Sequence, residues 1–493
     1  MHRKSILGLG VLSLLAGMIL AGCGRPPEET PDVTILQTGR IRGNAYPLTL
    51  KGISPLQHYP YLAGYVKKVR QEAQKNGAEV LLVDLGDSLE GSFASYATGG
   101  ANMAAFFNAL DYDAIVLGNL DNNVQPELLS QLKARVLNPF QDAAGQPATQ
   151  GTQFAASLNK GGIPIYLLAN FYGNVSEREF PERFPTWFGT TAAQVQPVRD
   201  YEAVLAALGP RAAGGLTLFS WMKFEPPGQP PQAFLDELTR LGVNAILAQR
   251  VYGGKMRDVW SDSGFHDWRP PVSENILRNN GGFVLARLDL KREGDSWRVL
   301  RQELLPMTAN TAPADSEIVA AIGKFAGPIA KADRVLAELP AAVGEADILQ
   351  AYAAALTRIP GTQAVIYSPE SVRSEWPAGE LRASEVFNSL PWTNPLVQLP
   401  LTPEQLQSVQ KNSALRVWIE DAAPGAPVTV TTSKYFATLL AAQLRLPAGA
   451  LKETAEASEF AYFIRFLQEG GGSGVIAPLP AGWSLLPSVP AHE

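Results

Sequence analysis

Cysteine and histidine are scarce in this chain. Cys23 is the only cysteine among 493 residues, so no internal disulfide can form. Histidine stands at four positions, His2, His58, His266 and His492. Imidazole is the commonest neutral metal ligand, and His2 and His492 fall at the two ends, so a histidine-rich metal centre lacks material. A basic excess is missing as well, since 41 Lys and Arg face 47 Asp and Glu for a net charge of -6. That withholds the cationic footprint of a nucleic-acid-binding protein. Repeats are absent, and the only low-complexity tract is Gly470-Gly471-Gly472.

The first thirty residues carry more. His2-Arg3-Lys4 precede an apolar run from Ile6 to Leu20, followed by Ala21-Gly22-Cys23. The run is short for a membrane span and has the layout of an export signal. Leu20-Ala21-Gly22-Cys23 resembles a bacterial lipobox, which implies cleavage before Cys23 and acylation of its thiol. Each buried acyl methylene adds about 0.8 kcal/mol, so several chains on one residue hold a protein at a bilayer. Gly24 is not the Asp of an inner-membrane retention signal, and the expected location is the bacterial cell envelope, at the periplasmic face of the outer membrane. The expected organisation is a signal peptide over 1–22 and a lipidated tether over 23–32, stiffened by Pro26, Pro27 and Pro31.

Beyond the tether, short apolar strands alternate with amphipathic helices, as in a layered α/β domain. Strands are expected at Val33–Leu36, Glu79–Asp84, Ala114–Leu117, Pro164–Leu168, Leu216–Ser220 and Ala245–Ala248, with a strand pair Gly282–Leu290 and Trp297–Leu305. Helices are expected at Tyr61–Asn76, Met103–Leu110 and Pro231–Leu241, and Asp315–Leu339 reads as one long connecting helix interrupted near Gly327-Pro328. Ligands in open α/β sheets gather beyond the carboxyl ends of strands. The segments to read are therefore Gln37–Gly43, Leu85–Ser88, Gly118–Asp121, Trp221-Met222 and Gln249–Tyr252.

Those strand ends, in that order, resemble the calcineurin-like metallophosphoesterase domain of the 5′-nucleotidase family. LLVDLGDSLEGS and FFNALDYDAIVLGN carry the likeness most clearly, and PESVRSEWPAGELRASEVFNSLPWTNPLVQLPLTPEQL with TVTTSKYFA extends it to the C-terminal half. The resemblance implies an N-terminal α/β/β/α metallophosphoesterase sandwich over 33–312, a connecting helix over 313–340, and a C-terminal α/β 5′-nucleotidase-type domain over 341–493. It implies two divalent metals as cofactors, held by Asp and His side chains.

Position by position, the family's metal ligands are mostly exchanged. Asp87 and Asn119 are retained. Arg40 and Arg42 stand at the first motif's Asp and His, and Leu120 stands where the catalytic His belongs. By strand order, Trp221, Arg250 and Tyr252 occupy the later His positions. The expectation is a site without metals. Guanidinium groups are permanent cations with a planar donor fork suited to phosphate or carboxylate, so Arg40, Arg42 and Arg250 are anion-binding candidates facing Asp87 and Asp121. An uncompensated buried Asp is costly, so the same arrangement also reads as a purely structural salt-bridge cluster.

In the C-terminal half the resemblance makes Arg373, Tyr435 and Phe436 substrate-domain candidates, although Glu370 and Ser371 replace the family's glycines beside the Arg. Three functional readings stay open. The first is a lipid-anchored pseudoenzyme with a binding or scaffolding role, held to the bilayer through Cys23 within an envelope protein complex. The others are a nucleotide or phosphoester hydrolase with an atypical metal site, and an anion- or phosphate-binding protein that uses the arginines.

Overall fold

The computed structural model describes residues 29–48, 58–118, 121, 124, 126–173, 195–224, 232–251, 276–279, 282–412, 414–420, 426–447, 449–456, 458–470, 481 and 483–485. The segment expected to be an export signal, Cys23, Asn119, Leu120 and Tyr252 lie outside them, and Arg250 is described as backbone only.

Alternation of side chains along each strand builds four layers. In β1 (Val33–Gly39), Val33 and Ile35 face one way and Leu36 the other, as a period of two requires. The first sheet also holds β2 (Glu79–Asp84), β3 (Ala114–Val116) and β4 (Arg135–Leu137). The second sheet is built from β5 (Ala155–Lys160), β6 (Ile163–Leu168), β7 (Leu216–Phe224), β8 (Ala245–Val251) and β9 (Ile276–Asn279). A hairpin of β10 (Gly282–Glu293) and β11 (Ser296–Pro306) then returns to the first sheet, giving the orders β11-β10-β1-β2-β3-β4 and β9-β8-β7-β6-β5. β1, β2, β3 and β4 run parallel, and β10 is antiparallel to β1.

Val33, Ile35, Leu81 and Val83 meet Ile165, Leu167, Leu216 and Leu247 between the sheets. Outside the first sheet, Leu36, Leu82 and Ile115 pack under α1 (Tyr59–Asn76) and α3 (Ala101–Ala109), which follows a short α2 (Phe93–Thr98). Outside the second, Leu168, Phe219 and Ile246 pack under α4 (Tyr201–Ala207) and α5 (Gln232–Arg240). Parallel strands need cover on both faces, and here they have it. The first half is the α/β/β/α sandwich that the resemblance implies.

The expected long helix over Asp315–Leu339 is corrected. α6 (Ser316–Gly323) opens on Asp315, whose carboxylate caps the N–H groups of Glu317 and Ile318, and α7 (Ala326–Ala332) closes at Asp333. Val335–Leu339 is a strand antiparallel to Gly379–Arg382. Its composition suits a helix, and pairing with a distant segment overrides that preference.

The second half has a mixed sheet. Its strands β12 (Ala364–Tyr367), β13 (Leu396–Leu401), β14 (Arg416–Glu420), β15 (Val428–Ser433), β16 (Lys452–Glu453) and β17 (Trp483–Leu485) stand in the order β16-β13-β15-β12-β14-β17. One face is covered by α8 (Glu345–Leu356) and α11 (Glu459–Glu469), with α9 (Ala383–Ser389) beside them, while α10 (Lys434–Gln443) follows β15. The two halves share a core. Phe93 and Tyr96 of α2 meet Phe387 of α9 at 6.1 and 5.5 Å between ring centroids, and Tyr96 meets Phe460 of α11 at 4.8 Å. Tyr46, from the loop after β1, is buried in the same cluster. This joint brings the loops after β1 and β2 against the second half.

Candidate functional site

The loops beyond β1, β2 and β3 are knitted through their backbones. Arg40 N–H donates to Gly86 O at 2.7 Å, Arg42 N–H to Asp87 O at 3.1 Å and Gly43 N–H to Ser88 O at 2.9 Å. The fit is close enough that a Cβ on Gly86 would lie 2.4 Å from Gly118 N, and one on Gly118 would lie 2.2 Å from Asp87 Oδ1. Glycine is the residue that tolerates such approach.

Arg40, Arg42 and Asp87 each adopt a left-handed backbone with φ 53°. Asn, Asp and His are enriched in that conformation, whereas a long side chain gains nothing there. Two of the three seats now hold arginine at a cost of about 1–3 kcal/mol each. All three side chains are buried, Arg40 at 1% exposure and Arg42 at 9%.

The carboxylates divide into two kinds. Asp121 is consumed by backbone donors: Gly118 N–H at 3.0 Å, Leu89 N–H at 2.9 Å and Ser88 N–H at 3.1 Å. Asp84 accepts from Thr38 Oγ1 at 2.8 Å, Ser88 Oγ at 3.0 Å and Gly86 N–H at 2.8 Å. Burial, then the charge of Asp87, push the Asp121 carboxyl up to about 6, and burial pushes Asp84 up to about 7. Glu90, on the same loop, rises to about 7 through burial and then Asp121. These two acids, the buried Asp84 and the partly buried Glu90, escape a reading of the sequence alone. Asp84 closes an apolar strand two residues before Gly86, a position that could have flagged it, whereas nothing distinguishes Glu90.

Burial pushes the Arg42 guanidinium down, and the charges of Asp87 and Asp121 only partly oppose it. Arg373 reaches the same space from the second half. Its pKa falls to about 9 through burial first and then the charges of Arg42 and Arg40. It lies 4.5 Å over the ring of Trp392, whose Nε1–H donates to Ser371 O at 2.9 Å. That stack gives a guanidinium a face to rest on when it has few hydrogen-bond acceptors. Three guanidinium groups therefore come near one another between the halves.

The other candidates sit elsewhere. Trp221 lies on the outer face of β7, in the core with Tyr201, Phe219 and Phe234. The alternation Leu216, Leu218 inward and Phe219, Trp221 outward dictates this and removes Trp221 from the cleft. Phe436 packs against Tyr367 at 4.9 Å and Tyr435 lies beside it at 5.2 Å, in contact with the core of the second half. Gln37 Nε2 donates to Ala248 O at 2.9 Å, which ties the end of β1 to β8 two residues before Arg250.

Two divalent cations do not fit these residues. Among the described residues no group of three or more His, Cys, Asp or Glu side chains is placed to hold a metal. The Asp121 oxygens already accept from three backbone N–H groups, and guanidinium neither donates a lone pair nor tolerates a nearby cation.

No family model matches the chain. It is 38% identical over 85 residues to human 5′-nucleotidase, a match that spans 16% of this chain and 15% of that protein's length. The solved structure of a putative 5′-nucleotidase from Staphylococcus aureus in complex with alpha-ketoglutarate is similar over 91% of this chain and 98% of its own, at a TM-score of 0.63 and 13% identity. A 5′-nucleotidase precursor from Thermus thermophilus is similar over 89% and 96%, at 0.55 and 17%. The fold is that of the two-domain 5′-nucleotidases, with the calcineurin-like sandwich first, as the strand-end motifs imply.

Proposed function

We propose that this chain is an exported lipoprotein, anchored through Cys23 at the periplasmic face of the outer membrane, and a catalytically silent relative of the 5′-nucleotidases that serves by binding. The observation that carries the reading is the pair Arg40 and Arg42, seated in left-handed backbone beside Asp87 where the family places metal ligands. An arginine cannot generate a hydroxide nucleophile, since it does not give up its proton in water. The carboxylates that remain are spent on backbone donors and on these guanidinium charges. The test is metal analysis after purification with manganese and zinc, together with hydrolysis of AMP and p-nitrophenyl phosphate. The expected result is substoichiometric metal and no turnover. Stoichiometric metal with turnover would overturn the reading and restore a hydrolase with an atypical site.

A second reading, capture of a small phosphate or carboxylate anion, is favoured by Arg373. Burial and the like charges of Arg42 and Arg40 lower its pKa, which is the electrostatic profile of a site that an anion would relieve. It is checked by a thermal-shift screen against phosphate, sulfate and AMP. An anion at about 100 times its dissociation constant adds about 2.7 kcal/mol to stability.

A further inference from the structure

The segment that precedes β1 is part of the sheet edge. Asp32 N–H donates to Leu290 O at 2.8 Å, and Asp32 accepts from Lys291 Nζ at 2.8 Å and from Arg292 N–H at 2.8 Å. Glu29 pairs with Arg298 at 2.5 Å, and Arg298 also holds Glu293 at 2.5 Å. Thus Glu29 and Asp32 both hold to the tip of the β10–β11 hairpin. Arg292 also donates to Ala213 O, in the loop that leads into β7, at 3.1 Å, so the hairpin tip is tied to the rest of the domain.

Strand polarity does the rest. β1 leaves this end at Val33 and reaches Gly39, next to Arg40, after seven residues, or about 23 Å at 3.3 Å each. β2 and β3 run parallel to it, so their cleft-forming loops also lie at the far end. The second half docks on Tyr46 and α2, again at the far end. Between Cys23 and Glu29 there are six steps of chain, which reach at most about 20 Å even when fully extended.

We infer that the protein stands on the membrane by the β10–β11 hairpin tip, with the buried cluster of Arg40, Arg42 and Asp87 at the opposite pole, turned away from lipid. The inference rests on the anchoring at Cys23 proposed above. The occupant of the hairpin face is the phospholipid headgroup layer. The turn offers it exposed charges of both signs, Arg292, Glu293, Asp295 and Arg298, which suit a zwitterionic surface and forbid entry into hydrocarbon.

The experiment uses the acylated full chain on phosphatidylcholine–phosphatidylethanolamine vesicles that contain a headgroup-linked quencher. Cys23 is the only native cysteine and is occupied by lipid, so a fluorophore can be placed singly at Asp295→Cys or at Glu127→Cys, both exposed positions. Flotation with vesicles, lost in Cys23→Ala, reports the anchor separately. The expected result is flotation with loss of most fluorescence at 295 and little loss at 127. Cutting the clamp with Asp32→Ala and Arg298→Ala together should narrow that contrast without stopping flotation. Flotation with equal quenching at both positions, or stronger quenching at 127, would overturn the orientation while leaving the anchor intact. Failure of the wild type to float would remove the anchor and this inference with it.

Discussion

Two arginine–aspartate groups, one partly and one wholly buried, lie towards opposite ends of the same sheet, and they behave in opposite ways. In the first, Arg287 Nε meets both oxygens of Asp289 at 3.0 and 3.1 Å, Thr34 Oγ1 donates to Asp289 at 2.6 Å, and Arg287 Nη1 reaches Tyr65 OH at 3.2 Å. Burial alone would lower the Arg287 pKa, yet hydrogen bonding and charge from Asp289 raise it. In the second, burial lowers Arg42 and the carboxylates fail to restore it. A matched ion pair built for stability has the first profile. The arginine cluster has the second, on left-handed backbone besides.

Four measurements would break or sharpen that contrast. The largest effect belongs to Asp289→Ala, which strands a partly buried guanidinium and the buried Thr34 hydroxyl and should cost about 2–4 kcal/mol in urea unfolding. A loss below about 1 kcal/mol would erase the distinction between the two groups. Next comes pH. The carboxyls of Asp84, Glu90 and Asp121 titrate higher folded than at their ordinary values of 3.8 and 4.5. The folded state therefore holds more protons between those values and about 6–7. The stability this contributes is fully present at lower pH and is lost as pH rises through that window. The melting temperature should thus fall between pH 5 and pH 8, by the equivalent of at least about 2 kcal/mol, the share of a single one of these groups. Asp84→Asn should flatten the curve, and a rise with pH would contradict the buried, partly neutral acids.

A smaller effect is expected at Trp392→Leu, which removes the platform under Arg373 and should cost about 1–3 kcal/mol, with loss of any stabilisation by phosphate. The smallest is Arg373→Met. Deleting a cation that faces two others should change stability in plain buffer by less than about 1 kcal/mol, since like-charge repulsion is relieved as packing is lost. Under the anion reading the same change abolishes the phosphate-dependent thermal shift. An undiminished shift would place the anion elsewhere.

Much of this is legible in the chain. The apolar runs at Glu79–Asp84 and Ala245–Ala248 announce buried parallel strands, and β8 merely extends the second to Val251. Arg40, Arg42 and Asp87 are found because a strand end fixes where a loop begins. Strand order alone misplaces Trp221, although its parity with Phe219 already sends it outward. Val335–Leu339 defeats a local reading because its partner, Gly379–Arg382, is some forty residues away, and no nearby pattern reports it. The meeting of Arg373 with Arg40 and Arg42 depends on how the halves dock, which is written in the aromatic faces of α2, α9 and α11 and in no short motif.

That aromatic joint also governs how the molecule can be taken apart. Phe93, Tyr96, Phe387 and Phe460 form one cluster to which both halves contribute. A truncation near residue 312 would lay bare a greasy facet on each fragment, inviting self-association in place of two well-behaved pieces. Calorimetry of the intact protein should accordingly record a single cooperative melt, with both lobes surrendering their structure together.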